Sequence, residues 1–178
     1  EFPLNADYST FKNNMIKNSK SDYCFIIDAD EIPHPRLIEN LKFILFENNG
    51  VDLINVPRLN IVIGITLDYI KSQNWNVSKI KIPKLDYDSK EILSLYEISE
   101  IDPFKGELIV ETVNFPDYQT RIFKRNNTIK FENKVHEIIT GYEYMANLPF
   151  SHQHFQEIDL NWCLFHVKSL ERQIRQNN

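Results

Sequence analysis

The stretch YCFIIDADEIPHP (residues 23–35) runs from five apolar residues directly into three carboxylates, Asp28, Asp30 and Glu31. A run that is apolar at every position is typical of a parallel strand covered on both faces, so we expect a central strand over residues 22–27. Two prolines follow, and proline does not continue a central strand. The stretch therefore predicts a buried strand that ends in a concentrated acidic turn.

The flanking segments alternate helical and extended patterns. Ser9 is a candidate N-cap for a helix ending near Ser19, and the apolar spacing over 35–47 predicts a second helix that Asn48-Asn49-Gly50 ends. Two strands are expected within residues 51–64, in VDLINV and RLNIVIG. A strand–helix–strand order predicts an α/β sheet.

The second half of the chain is less regular. A short helix is expected over 66–75, whereas residues 78–113 show no sustained period and suggest an insertion or lid loop. YQTRIFKR (118–125) and TIKFEN (128–133) predict an antiparallel pair around Asn126-Asn127. The tail, 162–176, is expected to be a loop and a helix.

Composition narrows the class of protein. The 178 residues are 42% hydrophobic and 25% charged, which is ordinary for a globular domain. A net charge of −5 argues against a nucleic-acid-binding surface, and no apolar stretch approaches the roughly 20 residues of a membrane span. Cys24 and Cys163 lie in apolar runs, so we expect reduced core residues in a cytoplasmic protein.

The acidic turn predicts a divalent cation, because two close carboxylates without a cation repel each other. Hard oxygen ligands favour Mg²⁺ or Mn²⁺, with phosphates completing the coordination. Ile32 and Pro33 exclude an EF-hand loop. A solvated acidic turn, a phosphotransfer enzyme with Asp28 as nucleophile and a sugar-nucleotide transferase remain alternatives. His152 and His154 are a weak candidate zinc pair.

Five blocks, in order, carry a family resemblance. Together they resemble family 2 glycosyltransferases of the GT-A fold, closest to small soluble enzymes of phages and of bacteria with surface-polysaccharide clusters. The resemblance implies one catalytic domain over 1–178, equivalent to the C-terminal two-thirds of a GT-A domain. The part of the family domain that binds the nucleotide base is absent from these residues, so they are either one piece of a longer chain, which we expect, or a degenerate protein. The blocks are SDYCFIIDADEIPHPRLIENL, VPRLNIVIGIT, FPDYQTRIFKR, FENKVHEIITGY and CLFHVKSLERQIRQNN.

The resemblance also implies roles at the donor side of the site. Asp30 would bind the metal, with His166 of CLFHVKS joining it, and Asp28 would contact the ribose or the water shell of the metal. Lys168 and Arg172 would hold the pyrophosphate, although a solvated helix face is the alternative. The full set expected to bind the nucleotide sugar is Asp28, Asp30, Glu31, Arg121, His136, Lys168 and Arg172.

At the acceptor side, the family pattern places an acidic residue where Glu137 stands in KVHE. Glu137 is therefore the candidate general base, unless it only pairs with Lys134. His136 is expected to bind substrate or orient the loop, and Arg121 to reach phosphate or pair with Glu137. Asp117 is a further candidate base on the strand that leads into this region.

The expected function is metal-dependent, inverting transfer of a sugar from a nucleotide-diphosphate donor to a hydroxyl of a glycan or related surface molecule. The expected location is the cytoplasm, or the host cytoplasm for a viral protein. Two alternatives stay open: phosphotransfer through Asp28, and a non-catalytic binding protein that retains the fold.

Overall fold

The computed structural model describes residues 7–82, 100–101, 108–149 and 162–177, which form a mixed α/β fold around a mixed sheet. The prediction of an α/β protein is confirmed at this level. The described helices are α1 (Tyr8–Asn18), α2 (Pro35–Glu39), α3 (Leu41–Glu47), α4 (Leu67–Ser72) and α5 (Leu170–Asn177). The described strands are β1 (Tyr23–Phe25), β2 (Glu31–Pro33), β3 (Leu53–Ile63), β4 (Val77–Ile82), β5 (Glu100–Ile101), β6 (Leu108–Lys124), β7 (Lys130–Glu132), β8 (Ile138–Thr140), β9 (Met145–Asn147) and β10 (Leu164–Ser169).

The main sheet has the strand order β1–β6–β3–β10–β2 in the described residues. The long strand β6 is antiparallel to both β1 and β3, so β1 and β3 run in the same direction on either side of it. Strand β10 is parallel to β3 and antiparallel to β2. Strands β4 and β5 pair with the first part of β6, and β9 pairs with the start of β3.

The expectation of a central parallel strand over 22–27 is wrong. Strand β1 has three residues, lies at one end of the described strand order and pairs antiparallel with Ile122–Lys124. Its apolar character on both faces has another cause. Cys24 and Ile26 pack against one core cluster, while Phe25 packs against the other.

Two hydrophobic clusters cover the opposite faces of the sheet. Leu53 and Ile54 are neighbours in β3, and Ile122 and Phe123 are neighbours in β6, so each pair splits between the two faces. The first cluster consists of Leu37, Ile44, Ile54, Val56, Ile122, Leu148 and Leu164. The second consists of Ile16, Leu53, Phe123, Ile129 and Phe131.

The helix predicted over 35–47 is divided into α2 and α3. Asn40 leaves the helical conformation at φ −94° and ψ 7°, and its side-chain amide donates to the Arg36 carbonyl at 2.8 Å. This local hydrogen bond competes with continuation of the helix. The first helix also begins differently: Asp7, not Ser9, is the N-cap and accepts from Thr10 N.

The two strands expected in 51–64 are one continuous strand, β3. Pro57 is accommodated because β9 pairs with Leu53–Asn55 and β10 pairs with Arg58–Ile63, which leaves Pro57 between the two partners on that side. The short helix expected near residue 66 is confirmed as α4, with Thr66 as its N-cap.

The hairpin predicted around Asn126-Asn127 does not form. Asn126 Oδ1 accepts from the backbone N–H groups of Thr128 and Ile129, and this Asx turn redirects the chain away from β6. Strand β7 pairs with β8 instead.

The segment 78–113 contributes to the sheet at both ends. Strand β4 and the first residues of β6 form a regular antiparallel ladder there, so these parts are not a lid. Residues 83–99 and 102–107 lie outside the described residues, as do His152 and His154. Cys24 and Cys163 form no disulfide in the described part of the chain, and Cys163 is buried.

Candidate functional site

The acidic residues form a tight turn between β1 and β2. The Glu31 N–H donates to the Asp28 carbonyl at 3.0 Å, and the Asp28 N–H donates to a Glu31 carboxylate oxygen at 3.2 Å. Glu31 is the first residue of β2, where it lies opposite His166 of β10. This strand register brings the turn and the C-terminal histidine together.

One arm of the site connects the turn to two arginines. Arg121 Nη2 lies 2.5 Å from both Asp28 Oδ2 and Glu31 Oε1, and Arg58 Nη1 lies 3.1 Å from the same Glu31 oxygen. The Glu31 side chain has no solvent exposure. A buried carboxylate is costly unless it is paired, and here two guanidinium groups pair with it.

The second arm runs from Arg58 to the other end of the turn. Arg58 donates to Asp117, and Asn60 Nδ2 donates to the same Asp117 oxygen at 2.8 Å. Asn60 Oδ1 lies 2.8 Å from His166 Nδ1, and His166 Nε2 lies 3.2 Å from Asp30 Oδ2. The polar groups therefore form one continuous chain from Asp28 to Asp30.

Burial and neighbouring charges have opposite effects on the pKa values of these connected groups. Burial raises the pKa of Asp30, but His166 and Arg172 outweigh it and leave that pKa below its usual value. Burial likewise raises the pKa of Asp117, and Arg58 with the surrounding hydrogen bonds brings it below the ordinary value. For Arg121 burial lowers the pKa, yet its paired carboxylates raise it. All three groups are therefore charged at neutral pH.

His166 behaves differently. Burial, followed by the nearby cations Arg58 and Lys168, lowers its pKa more than Asp30 raises it. Its 3.2 Å contact with Asp30 is an ion pair only when the ring is protonated.

Asp30 and His166 fit a divalent cation in spacing and in donor type. Neighbouring ligands of an octahedral ion at about 2.1 Å lie roughly 3.0 Å apart, close to the 3.2 Å between Nε2 and Oδ2. Within the described ranges, no group of three or more His, Cys, Asp or Glu side chains is arranged to hold a metal ion. Such a cation would therefore take its remaining ligands from phosphate or water.

Arg172 of α5 lies beside the same carboxylate, with Nη2 3.1 Å from Asp30 Oδ2. Its side chain is half exposed, so it can turn toward an anion outside the protein. Lys168 is two residues beyond His166 on β10, and burial with Arg58 lowers its pKa. A cavity of about 140 Å³ lies here, and its lining includes Arg58, Asn60, His166 and Lys168.

A larger cavity of about 460 Å³ lies at the other end of the turn. Glu137 is 15% exposed there and forms an ion pair with Lys12, whose Nζ lies 3.0 Å from the Oε1 atom of Glu137. Arg121 Nε is buried without a hydrogen bond. The lining includes Lys12, Asp28, Tyr118, Gln119, Arg121 and Glu137.

Helix α1 positions this side of the cavity. The Asn13 side chain donates to the Phe131 carbonyl and accepts from the Phe131 N–H, both at 2.8 Å. Tyr8 N–H donates to the Lys134 carbonyl. These bonds hold α1 against β7, and place Lys12 over the Phe131 ring and beside Glu137.

The predicted site residues lie in two groups. The group at the Asp30 end of the turn consists of Asp30, His166, Lys168 and Arg172. The residues that line the large cavity are Asp28, Arg121 and Glu137. Glu31 is enclosed between its arginines. His136 is exposed with φ +56°, a left-handed conformation that is uncommon outside glycine.

The sequence left two ion pairs of Glu137 open, with Arg121 and with Lys134, and the structure places Glu137 beside Lys12 instead. Arg121 pairs with Asp28 and Glu31, because β6 pairs with β1 and brings Arg121 under the acidic turn. The Lys134 carbonyl accepts from the Tyr8 N–H of α1.

Sequence reasoning missed Arg58, Asn60 and Lys12. Arg58 and Asn60 stand two apart in the otherwise apolar stretch PRLNIVI, so they share one face of β3. Polar residues at alternate positions of a buried strand were a usable signal, because buried polar groups need partners. Lys12 gave no such signal.

Comparisons with protein-family models, with curated proteins and with solved structures found no match to this chain. None of the helices in the described part of the chain is both long and apolar enough to cross a membrane.

Proposed function

We propose that this chain is a metal-dependent, inverting glycosyltransferase of the GT-A type, which moves a sugar from a nucleotide-diphosphate donor to a hydroxyl group of a glycan acceptor. The observation that carries the proposal is the acidic turn itself. One end presents Asp30 beside His166, and the other end presents Asp28 to a cavity that also contains Glu137.

The Asp30 end has the chemistry of a diphosphate site. Asp30 and His166 would hold Mg²⁺ or Mn²⁺, which neutralises the charge that develops on the leaving diphosphate. Arg172 would turn from Asp30 toward a phosphate oxygen, and Lys168 would add a second positive charge. Cationic groups beside the metal ligands favour an anionic ligand at this end.

The Asp28 end has the chemistry of an acceptor site. Glu137 would take the proton of the acceptor hydroxyl while that oxygen bonds to the anomeric carbon and the carbon–phosphate oxygen bond breaks. Its side chain lines the cavity, where Lys12 Nζ lies 3.0 Å from Oε1. Asp28, held by Arg121, would bind the donor sugar or ribose between the two ends.

The topology supports the GT-A assignment. The acidic turn follows β1, an antiparallel strand separates β1 from the parallel strand β3, and the candidate histidine lies on the neighbouring strand β10. These elements overlap four of the five sequence blocks that resemble the family.

The test is to incubate the purified chain with Mn²⁺ and a panel of sugar nucleotides, and to measure release of nucleoside diphosphate. We expect release that is lost on chelation and in Asp30→Asn, and retained in Asp68→Asn, a matched change of an exposed carboxylate in α4. Absence of release from every sugar nucleotide would contradict the proposal. Cleavage of phosphomonoesters that requires Asp28 would indicate phosphotransfer instead.

A further inference from the structure

Asn60 is a buried amide with two charged or titratable neighbours. It lies on β3 with 7% of its surface exposed, between Asp117 of β6 and His166 of β10. Its Nδ2 atom is 2.8 Å from Asp117 Oδ2, and its Oδ1 atom is 2.8 Å from His166 Nδ1. The roles proposed above for the metal ligands and for the general base require neither of these two contacts.

Asp117 determines which way the Asn60 amide points. A carboxylate only accepts hydrogen bonds, and the cation Arg58 keeps Asp117 ionised. The amide atom that faces Asp117 must therefore be the NH₂ group. The carbonyl oxygen of Asn60 is then left to face His166.

The amide in turn determines which ring nitrogen of His166 carries the proton. Because Asn60 Oδ1 only accepts, His166 Nδ1 must donate to it. Nε2 is then the ring nitrogen that can give up its proton, and it faces Asp30 Oδ2 across 3.2 Å. Without a proton on Nε2 these two acceptors repel each other, and a divalent cation between them removes that repulsion.

We propose that Asn60, oriented by Asp117, is a positioning residue that holds His166 in the Nδ1–H tautomer, so that Nε2 and Asp30 together face a divalent cation. The cation rests on the proposed function, whereas the proton on Nδ1 is argued from the contact with Asn60 Oδ1 alone. Metal-bound histidines are commonly oriented in this way through their second nitrogen.

The tautomer can be measured without any activity. In ¹⁵N-labelled protein, at a pH above the titration of the ring, two-bond ¹H–¹⁵N spectra distinguish a protonated ring nitrogen from an unprotonated one. His166→Gln identifies the His166 signals among the five histidines. We expect the proton on Nδ1 in the wild type, and a proton on Nε2 would overturn the proposal.

Asn60→Leu removes the acceptor at similar volume. We expect the His166 proton to move to Nε2, where it donates to Asp30. The matched control is Asn55→Leu, because Asn55 is an equally buried asparagine of β3 that bonds to Asn147 and Thr120 instead of His166. An Nδ1–H tautomer that persists in folded Asn60→Leu overturns the proposal. If that variant does not fold, the wild-type spectrum alone decides.

Mn²⁺ alone separates this inference from the proposed function. Paramagnetic broadening of His166 signals is expected in the wild type, at a Mn²⁺ concentration about 10- to 100-fold lower than in Asn60→Leu. An Nδ1–H tautomer without broadening supports the positioning role and counts against the metal site. Equal broadening in wild type and Asn60→Leu, with the tautomer changed, overturns the link between Asn60 and metal binding.

Discussion

Asp28 and Asp30 stand two residues apart in one turn, yet their surroundings differ. Asp28 is 41% exposed, accepts from Arg121 and lines the large cavity. Asp30 is 14% exposed and lies against an imidazole and an arginine that can turn into solvent. The difference shows that residues two apart in one tight turn can face different neighbours.

Glu31 makes this division possible. Its buried carboxylate holds Arg121 toward Asp28 and Arg58 toward Asp117. Each arginine then carries positive charge to one side of the turn. The three acidic residues are therefore not equivalent: two face outward in different directions, and one forms the internal support between them.

The largest effect is expected at Asp30. Asp30→Asn removes the charged metal ligand and should reduce sugar transfer by about 10³-fold or more, since one preorganised electrostatic contact is typically worth 10²- to 10³-fold. The measurement is kcat with Mn²⁺ in excess. A near-normal kcat in Asp30→Asn would contradict the assignment of the metal to the Asp30 end of the turn.

Glu137 tests the other end of the turn. Glu137→Gln keeps the size of the side chain but cannot accept a proton, so the rate constant for transfer should fall by about 10²- to 10⁴-fold. Donor affinity should change little, because Glu137 lies across the turn from Asp30. Lost donor binding would instead place Glu137 with the phosphates, and a product with retained anomeric configuration would contradict a single base-assisted displacement.

A smaller effect is expected at Asp28. Asp28→Asn keeps one acceptor for Arg121 but loses a charge, which corresponds to about 1.5 kcal/mol for a charge-assisted hydrogen bond, or roughly tenfold in kcat/KM. The Mn²⁺ dependence of the rate should not change. If Asp28→Asn needs a higher Mn²⁺ concentration for activity, both aspartates bind the metal, and the two residues do not differ in this respect.

The smallest effect is expected at Asp117, which connects the two ends of the turn through Arg58 and Asn60. The pKa of Asp117 is lowered in the folded protein, so its contribution to the free energy of unfolding is present at neutral pH. That contribution is lost as the pH falls below 3.8 through the lowered pKa. The difference in stability between wild type and Asp117→Asn should therefore be smaller at pH 3 than at pH 7. A constant difference would show that its charge contributes nothing.

The sequence was most informative where the signal is local. The apolar run, the acidic turn and the helix near Leu67 can be read from neighbouring residues, and the family resemblance suggested His166 as the partner of Asp30. The strand order could not be read in this way. The position of β1 depends on pairing with residues about a hundred positions away, which no local pattern encodes.

The residues that connect the two ends of the site could not be predicted from local sequence patterns either. Arg58 and Asn60 meet Asp117 only because β3 and β6 pair in one register, with an irregularity between Arg58 and Asn60. Lys12 reaches Glu137 only because Asn13 fixes α1 on β7. Such contacts depend on tertiary packing, and the sequence shows only that buried polar groups must have partners.

The central claim is that Asp30 and His166 share a cation that Asp28 does not touch. Electron spin-echo spectroscopy of Mn²⁺ bound to the chain with a nucleoside diphosphate tests it most directly, because ¹⁴N modulation reports a coordinating imidazole. We predict ¹⁴N modulation in the wild type and in Asp28→Asn, and none in His166→Gln. Modulation that is absent from the wild type, or that disappears in Asp28→Asn, would contradict the claim.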